Sequence, residues 1–443
     1  MDTAKVADVW LDFVARFSDC FTRPGTAHFG ALLTGGLLAE RRPLVTEIVT
    51  ALNCQKQWRA AEWFLEEGKW PTRQVEERLC EMAAPAGRRW GRQVWAVDDM
   101  KALKNGKKIW GTCSFHEYTS RCCNRPETVW AHNWVVCGAL ERGNRSDFLP
   151  TMGRLYMRES QLPEGETFRK KPELAVEMAR ICARSSEGPH LIVFDGGYAI
   201  RSVVRPLTSP PEGQPRVEFL TRLRRDSRLY TEPPPRREGQ MGRPRKWGYR
   251  LPAPRDAEDW PGEWQETEAD MYGSRRSVRF KKVLGQWHPA GAEERVHAFA
   301  FDVEGYEDPW QVVTSDLRLT ARQVLELYAA RFAQEDAHRD LKQHIGLGTE
   351  QGRLKNVVLR SFQLRVAELT LLHLLRKKLN EGEGQWWPQP QWYPQKERGS
   401  VRDVKRVLRG AGQYFSQLDW RVLTSEKSPP GGQPRHRSCR KAA

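Results

Sequence analysis

Apolar residues recur along this chain in two rhythms, and the change of rhythm divides it. Up to about residue 88 they return every three or four positions, the spacing of a helix face. Val6–Phe17, with Trp10, Leu11, Phe13 and Val14, predicts an amphipathic helix. Leu44–Leu65 predicts a second, broken near Asn53, and Thr72–Met82 a third. From Arg92 onward the pattern is that of strands: Gln93–Val97, Lys108–Phe115 and Val129–Ala139. A helix over Lys171–Ser185 follows, then a strand over Leu191–Phe194, a short helix over Ala199–Leu207 and a strand over Val217–Leu223.

The next stretch opens with the polar, Pro- and Arg-rich piece Arg224–Arg250 and continues through strands at Arg275–Val283 and Arg295–Val303. A strand and turn at Trp310–Asp316 lead into one long helix, Ala321–Gln343, and an apolar helix at Val357–Leu379. The apolar positions of Leu369–Leu375 read as core. A Trp-, Pro- and Gln-rich segment, Gln385–Trp392, precedes a helix at Ser400–Leu408, and Lys427–Ala443 reads as disordered. The divisions expected are 1–88, 89–223, 224–308, 309–380 and 381–443.

With 443 residues, 39% of them hydrophobic, the chain can build a sizeable core and more than one structural unit. Its net charge of +16 changes the picture more. Such an excess implies a polyanionic partner bound in a salt-dependent way, although a ribosome or a membrane surface would satisfy it equally. The nine cysteines show no Cys-x-x-Cys pair and no histidine at zinc-finger distance, so reduced thiols in a cytosolic protein are expected. No signal peptide and no membrane-spanning run is evident, so the sequon at Asn144 carries no weight.

Candidate chemistry gathers at three places. The strand Val94–Val97 is stopped by Asp98 and Asp99, and the strand Leu191–Phe194 by Asp195, Gly196 and Gly197. Carboxylates at strand ends sit at a sheet edge, where α/β folds bind ligands. The third place is the segment Tyr328–Lys342. At about 100° per residue a helix brings Tyr328, Arg331, Glu335 and Lys342 within an arc of roughly 60°. The plain alternative is a solvated helix with an Arg331–Glu335 ion pair. One carboxylate beside two cations and a phenol suits chemistry on a nucleic-acid backbone, since carboxylates bind Mg²⁺ and Arg and Lys bind phosphate.

Two strand-end aspartates and a late glutamate within Y-x2-R-x3-E-x6-K resemble the DDE transposases of bacterial insertion sequences, and within them the IS-four-like group with its β-strand insertion before the Glu helix. The continuation Asp340–Leu347, the Asp195–Tyr198 turn and the Trp310–Asp316 strand are similar too, and the resemblance spans roughly residues 30 to 380. It implies an α/β fold with a ribonuclease H-like catalytic core, a β-rich insertion over 224–308 and an N-terminal helical domain. Strand, strand, strand, helix, strand is the order of such a core. It also implies Asp98, Asp195 and Glu335 as the catalytic ligands of two Mg²⁺ ions, with Mn²⁺ as a substitute. Arg331 and Lys342 would hold phosphates and Tyr328 the DNA backbone. The partners implied are double-stranded DNA, as element ends and target, and a second copy in a synaptic dimer, in the bacterial cytoplasm at the nucleoid. Rivals are a catalytically inactive DNA-binding descendant and a nuclease without strand transfer.

Several positions stay open. Asp98 is favoured over Asp99 as the first ligand by its place at the strand end. Met100 stands where the family often has a hydroxyl, and Gln334 where isoleucine is usual. The N-terminal helices could bind element ends or only pack on the core. Gly242–Trp247 resembles an AT-hook and a stretch of the family's insertion, so Arg243, Arg245, Lys246 and Trp247 are candidate DNA contacts beside the plain reading of a solvated basic turn. Trp247, Trp260, Trp264 and Trp287 are candidates to stack on a base, although each reads first as a packing residue. His338 and His344 read as surface or phosphate-facing residues, since no third metal ligand accompanies them.

Overall fold

Five helices open the chain: α1 (Thr3–Ala15), α2 (Arg23–Leu38), α3 (Val45–Ala51), α4 (Trp58–Glu66) and α5 (Thr72–Gly87). They belong to a computed structural model that describes residues 2–117, 127–141, 145–236, 238–382 and 384–418. The tail Lys427–Ala443 and the Cys122–Cys123 pair lie outside the described residues. The Asp2 carboxylate accepts from the Ala4 amide at 2.9 Å and caps α1. On the buried side of that helix Trp10 donates its indole N–H to Thr34 Oγ1 on α2 at 2.9 Å.

The strands are β1 (Arg88–Arg89), β2 (Arg92–Leu103), β3 (Cys113–Glu117), β4 (Glu127–Glu141) and β5 (Asp147–Tyr156), then β6 (His190–Phe194) and β7 (Val217–Arg222). The helices α6 (Lys171–Arg184) and α7 (Arg201–Thr208) flank β6 in sequence. Next come β8 (Leu229–Tyr230), β9 (Gln265–Met271), β10 (Ser274–Trp287), β11 (Arg295–Val303) and β12 (Trp310–Thr314). The chain continues through α8 (Ala321–Ala330), α9 (Ala333–Asp340), a π-helical turn (Leu341–Ile345), α10 (Lys355–Asn380), α11 (Val401–Gly410) and α12 (Gly412–Ser416). All twelve strands form one mixed sheet with the path β3-β4-β2-β6-β7-β12-β11-β10-β8, where β5 also pairs β4 and β9 pairs β10. Only β2, β6 and β7 run parallel to one another. The segment β5-β4-β2-β6-β7 with α6 and α7 is the ribonuclease H-like core.

Three strand expectations change. The strand expected to stop at Val97 runs on to Leu103, because it stays paired with β4 beyond Asp98 and Asp99. Lys108–Thr112 is a turn, with Gly111 at φ +78°, and β3 begins only at Cys113. The third core strand is instead β5, which its Pro150 and Gly153 had hidden. Proline is tolerated there because the β4–β5 register shifts at Cys137 and Gly138, so the ladder does not require its missing N–H. A Cβ on Gly153 would collide with the Phe362 ring on α10. The strands of 224–308 are continuous with the rest of the sheet. β11 pairs with β12, and β12 with β7, so they extend the core sheet.

Alternation along the strands sends side chains to two cores. Val94, Ala96 and Met100 of β2 and Leu191 and Val193 of β6 join the helices α1–α4 and α8–α11 on the first face. Trp95 and Val97 with Ile192 and Phe194 face α6, α7 and the segment around Trp260 on the second. α10 is buried nearly all round, and its Phe362 stacks on Trp134 of β4 with ring centroids 3.7 Å apart. Three buried, unoxidised thiols meet on the second face, with Cys182 Sγ at 3.7 Å from Cys80 and 3.6 Å from Cys137.

Candidate active site

β2 and β6 are parallel neighbours whose last registered pair is Val97 with Phe194. Asp98 and Asp195 are therefore the next positions on two adjacent strands, roughly 5 Å apart at the backbone. Both share the parity of the first-face residues, Asp98 with Ala96 and Asp195 with Val193, so both project to the face that α8 and α9 cover. This upper edge of the sheet, where β2, β6 and β7 point their C-terminal ends, holds the site.

Asp99 has the opposite parity. Its carboxylate takes the Lys171 ammonium of α6 at 2.5 Å and the Tyr198 hydroxyl at 3.4 Å. It ties the second face together, while Asp98 looks into the site. Asp98 Oδ1 accepts the Asp99 amide at 2.8 Å, and Oδ2 lies 3.2 Å from Arg331 Nη1. Burial pushes the Asp98 carboxyl up to about 6, helped by the charges of Asp99 and Asp195 and opposed by Arg331. Burial works against the Arg331 charge in turn. Asp98 first, then Tyr328, Asp195 and Glu335, outweigh that and raise its pKa above the ordinary value. Arg331 thus sits at the meeting point of all three proposed carboxylates.

The Glu-bearing segment is not one regular helix. α8 ends at Ala330, and the next bonds, Gln334 N to Arg331 O at 2.9 Å and Glu335 N to Phe332 O at 3.0 Å, are of the tighter three-residue kind. α9 follows, and the π-turn ends at Gly346 with φ +85°. The single wheel drawn through Tyr328 and Lys342 is therefore interrupted twice. Tyr328 is buried, edge-on to Trp310 at 5.9 Å with Arg331 over its ring at 5.8 Å. Glu335 is exposed beside it. Lys342 points away toward β2 and β3, where Glu117 and Lys101 are its charged neighbours; burial, joined by Lys101, lowers its pKa against the opposing pull of Glu117. His338 is buried and held neutral, with its pKa pushed down to about 3 by burial and by Lys342 and Arg331. His344 lies 3.7 Å from Asp340.

The structure brings Asp98, Asp195, Tyr328, Arg331 and Glu335 together, and leaves the Gly242–Trp247 stretch elsewhere. β10 runs away from the upper edge, and its Trp287 end pairs with β8, so that stretch sits at the lower edge. There Trp247 packs between Tyr230 at 4.9 Å and His288 at 5.7 Å, Arg245 covers Tyr249, and Arg243 and Lys246 are exposed. Trp260 and Trp287 are buried core, and Trp264 lies beneath Arg279 and Lys281. What the insertion does bring to the site is its hairpin tip. Tyr272, at φ +53°, stands edge-on to Phe332 at 5.8 Å, both rings partly exposed. Burial raises the Tyr272 hydroxyl to about 12, with Glu335 adding to the rise and Arg331 opposing it. The signal for this tip was the Tyr272-Gly273 pair, a two-residue hairpin turn between Gln265–Met271 and Ser274–Trp287.

Oxygen donors of this kind suit a hard divalent cation. Asp98 supports the fit: a buried carboxyl raised by two neighbouring carboxylates lacks positive charge beyond what Arg331 supplies. Among the described residues no group of three His, Cys, Asp or Glu stands close enough to enclose an ion by itself. No helix among them is long and apolar enough to cross a membrane.

This fold, with Asp98 and Asp195 side by side where the parallel β2–β6 ladder stops, is that of a nuclease of the DDE type. The chain belongs to the DDE superfamily endonucleases, whose family model matches residues 16–286. That match includes Asp98 and Asp195 and ends before Glu335. No curated protein matches the chain. Membership makes DNA the substrate, and nucleases of this type generally use divalent metals.

Proposed function

We propose that this protein is a DNA transposase of the IS-four-like group, which cuts insertion-sequence ends and transfers the freed 3′-OH into target DNA. The observation that carries the reading is the placement of Asp98 and Asp195 side by side, each one residue past the last pair of the parallel β2–β6 ladder, on the sheet face that the Glu335 segment covers. The side-chain roles follow from that placement. Asp98 and Asp195 would share a divalent ion, and Glu335 would complete its ligands. Two Mg²⁺ ions, or Mn²⁺ in their place, would activate the attacking oxygen and stabilise the leaving one.

Arg331 is the residue set to respond. Its guanidinium lies on Asp98 at 3.2 Å and would turn to a scissile phosphate once a cation takes over that carboxylate. Tyr328, packed on Trp310, holds Arg331 from below. Lys342 would contact a phosphate farther along, on the side of Glu117. Joining of two element ends calls for a homodimer in the synaptic complex.

The test is excision from a plasmid carrying the element's own ends with Mg²⁺, comparing the native protein with Glu335→Gln. Cutting that is lost in the variant supports the reading. End binding by both proteins with cutting by neither would leave a DNA-binding descendant. Cutting with no joined products would leave a nuclease.

A further inference from the structure

The second face of the sheet carries a basic groove that the cutting chemistry does not use. α6 precedes β6 and α7 follows it, so both start at the upper edge and run toward the lower one. The open groove between them, of about 1150 Å³, has Val176, Ile200 and Pro206 among its lining residues. Arg169, Arg180, Arg184, Arg201 and Arg205 also line it, against Glu173 and Glu177. Arg180 and Arg184 are four apart on α6, as are Arg201 and Arg205 on α7, so each helix presents its pair on one side.

These cations are poorly neutralised. Among the described residues only Arg169 of the five has a carboxylate partner, Glu177 at 2.5 Å. Arg180 gives one N–H to the Pro206 carbonyl at 3.1 Å, and its buried Nε has no acceptor among the described residues. Burial, and then the Arg184 charge beside it, lower the Arg180 pKa. Both ends of the groove meet features already described. At the top, Lys171 and Tyr198 reach Asp99, next to the Asp98 ligand. At the bottom, Arg205 approaches the turn at Gly291. That turn follows His288, on which Trp247 of the Arg243–Lys246 loop is stacked.

We infer that the α6–α7 groove is a track for the phosphate backbone of duplex DNA, running from the catalytic edge to the Arg243–Lys246 loop. It rests on the reading of the chain as a DNA-cutting transposase, and it gives that substrate a path. α6 is about 20 Å long, which covers roughly six base pairs of flank beyond the cut.

The experiment reads binding without cutting. A labelled 40-base-pair duplex is titrated by fluorescence anisotropy in the absence of divalent metal, over a series of KCl concentrations. The proteins are the native chain, Arg180→Gln with Arg184→Gln, Arg201→Gln with Arg205→Gln, and the Lys counterparts of both pairs. Circular dichroism melts verify that each variant folds. The groove predicts that each Gln pair lowers the slope of log K against log salt by about 2, near 1 for each lost phosphate contact, and that the Lys pairs restore it. Folded Gln variants with native affinity and slope would overturn the inference. An outcome in which native protein binds through the groove but never cuts with Mg²⁺ sinks the transposase reading and leaves the track standing.

Discussion

At the residue scale, the adjacent aspartates Asp98 and Asp99 face opposite sides of the sheet because a strand alternates. Asp98→Asn removes a proposed ligand and should abolish metal-dependent cutting. Asp99→Asn loosens Lys171 and Tyr198 and should leave measurable cutting, so initial rates of plasmid nicking separate the two. The sequence favoured Asp98 by counting from the strand end. The stronger reason, the Lys171 contact of Asp99, comes from a helix more than seventy positions later and has no local trace. Gln334 offers a second test. Its amide is fully buried, and neither Oε1 nor Nε2 finds a partner among the described residues. An unsatisfied buried amide costs about 1–3 kcal/mol, so Gln334→Ile should raise the melting temperature. An unchanged or lower melt would mean that the pocket holds a water or needs the amide's shape.

At the scale of elements, the regular helices and apolar strands were readable, and the irregular ones were not. β5 was missed because Pro150 and Gly153 argue against a strand until the β4 bulge and the Phe362 ring are known. The break at Arg331–Phe332 was missed because no proline or glycine marks it. Close approach is visible again where α2 meets α10. A Cβ on Gly36 would strike the buried Arg365–Glu368 pair, so Gly36→Ala should cost about 1–3 kcal/mol in urea melts. α10 is also pinned to β5 through Asp147, which pairs with Arg376 and, at 2.8 Å, with Arg398. Burial would raise the Asp147 carboxyl, but Arg376, His373 and Arg398 outweigh it and hold it at about 2. A depressed folded pKa stabilises above the unfolded value near 4 and loses that contribution as pH falls toward about 2. Asp147→Asn should therefore cost about 2–3 kcal/mol at pH 7 and converge with the native protein near pH 2 in melts taken across that range.

At the scale of the whole molecule, the N-terminal helices share the first core with α8–α11. α10 lies against α2, α4 and α5, and α11 against α1 and α2. A chain beginning at residue 89 would expose most of that interface. It should lose the cooperative thermal transition of the full protein, and a sharp calorimetric peak from such a chain would refute the dependence. The composition pointed to the partner class, since a charge of +16 asked for a polyanion, and Asp98 and Asp195 pointed to the proposed chemistry. The path from one to the other, along α6 and α7, was not readable. The arginines concerned are scattered from 169 to 205 and converge only because two helices begin at the same sheet edge.

The way the chain returns to that edge sets a ruler. β12 descends over five residues to Asp316, which pairs with Arg92 at the lower edge, and α8 must climb back over ten. Five strand residues rise about 17 Å and ten helical ones about 15 Å, so the two lengths nearly match. Each residue added to α8 would lift Arg331 about 1.5 Å and swing it about 100°. The ruler therefore tolerates no change of length. Insertions and deletions among descendants of this chain should spare the ten residues of α8.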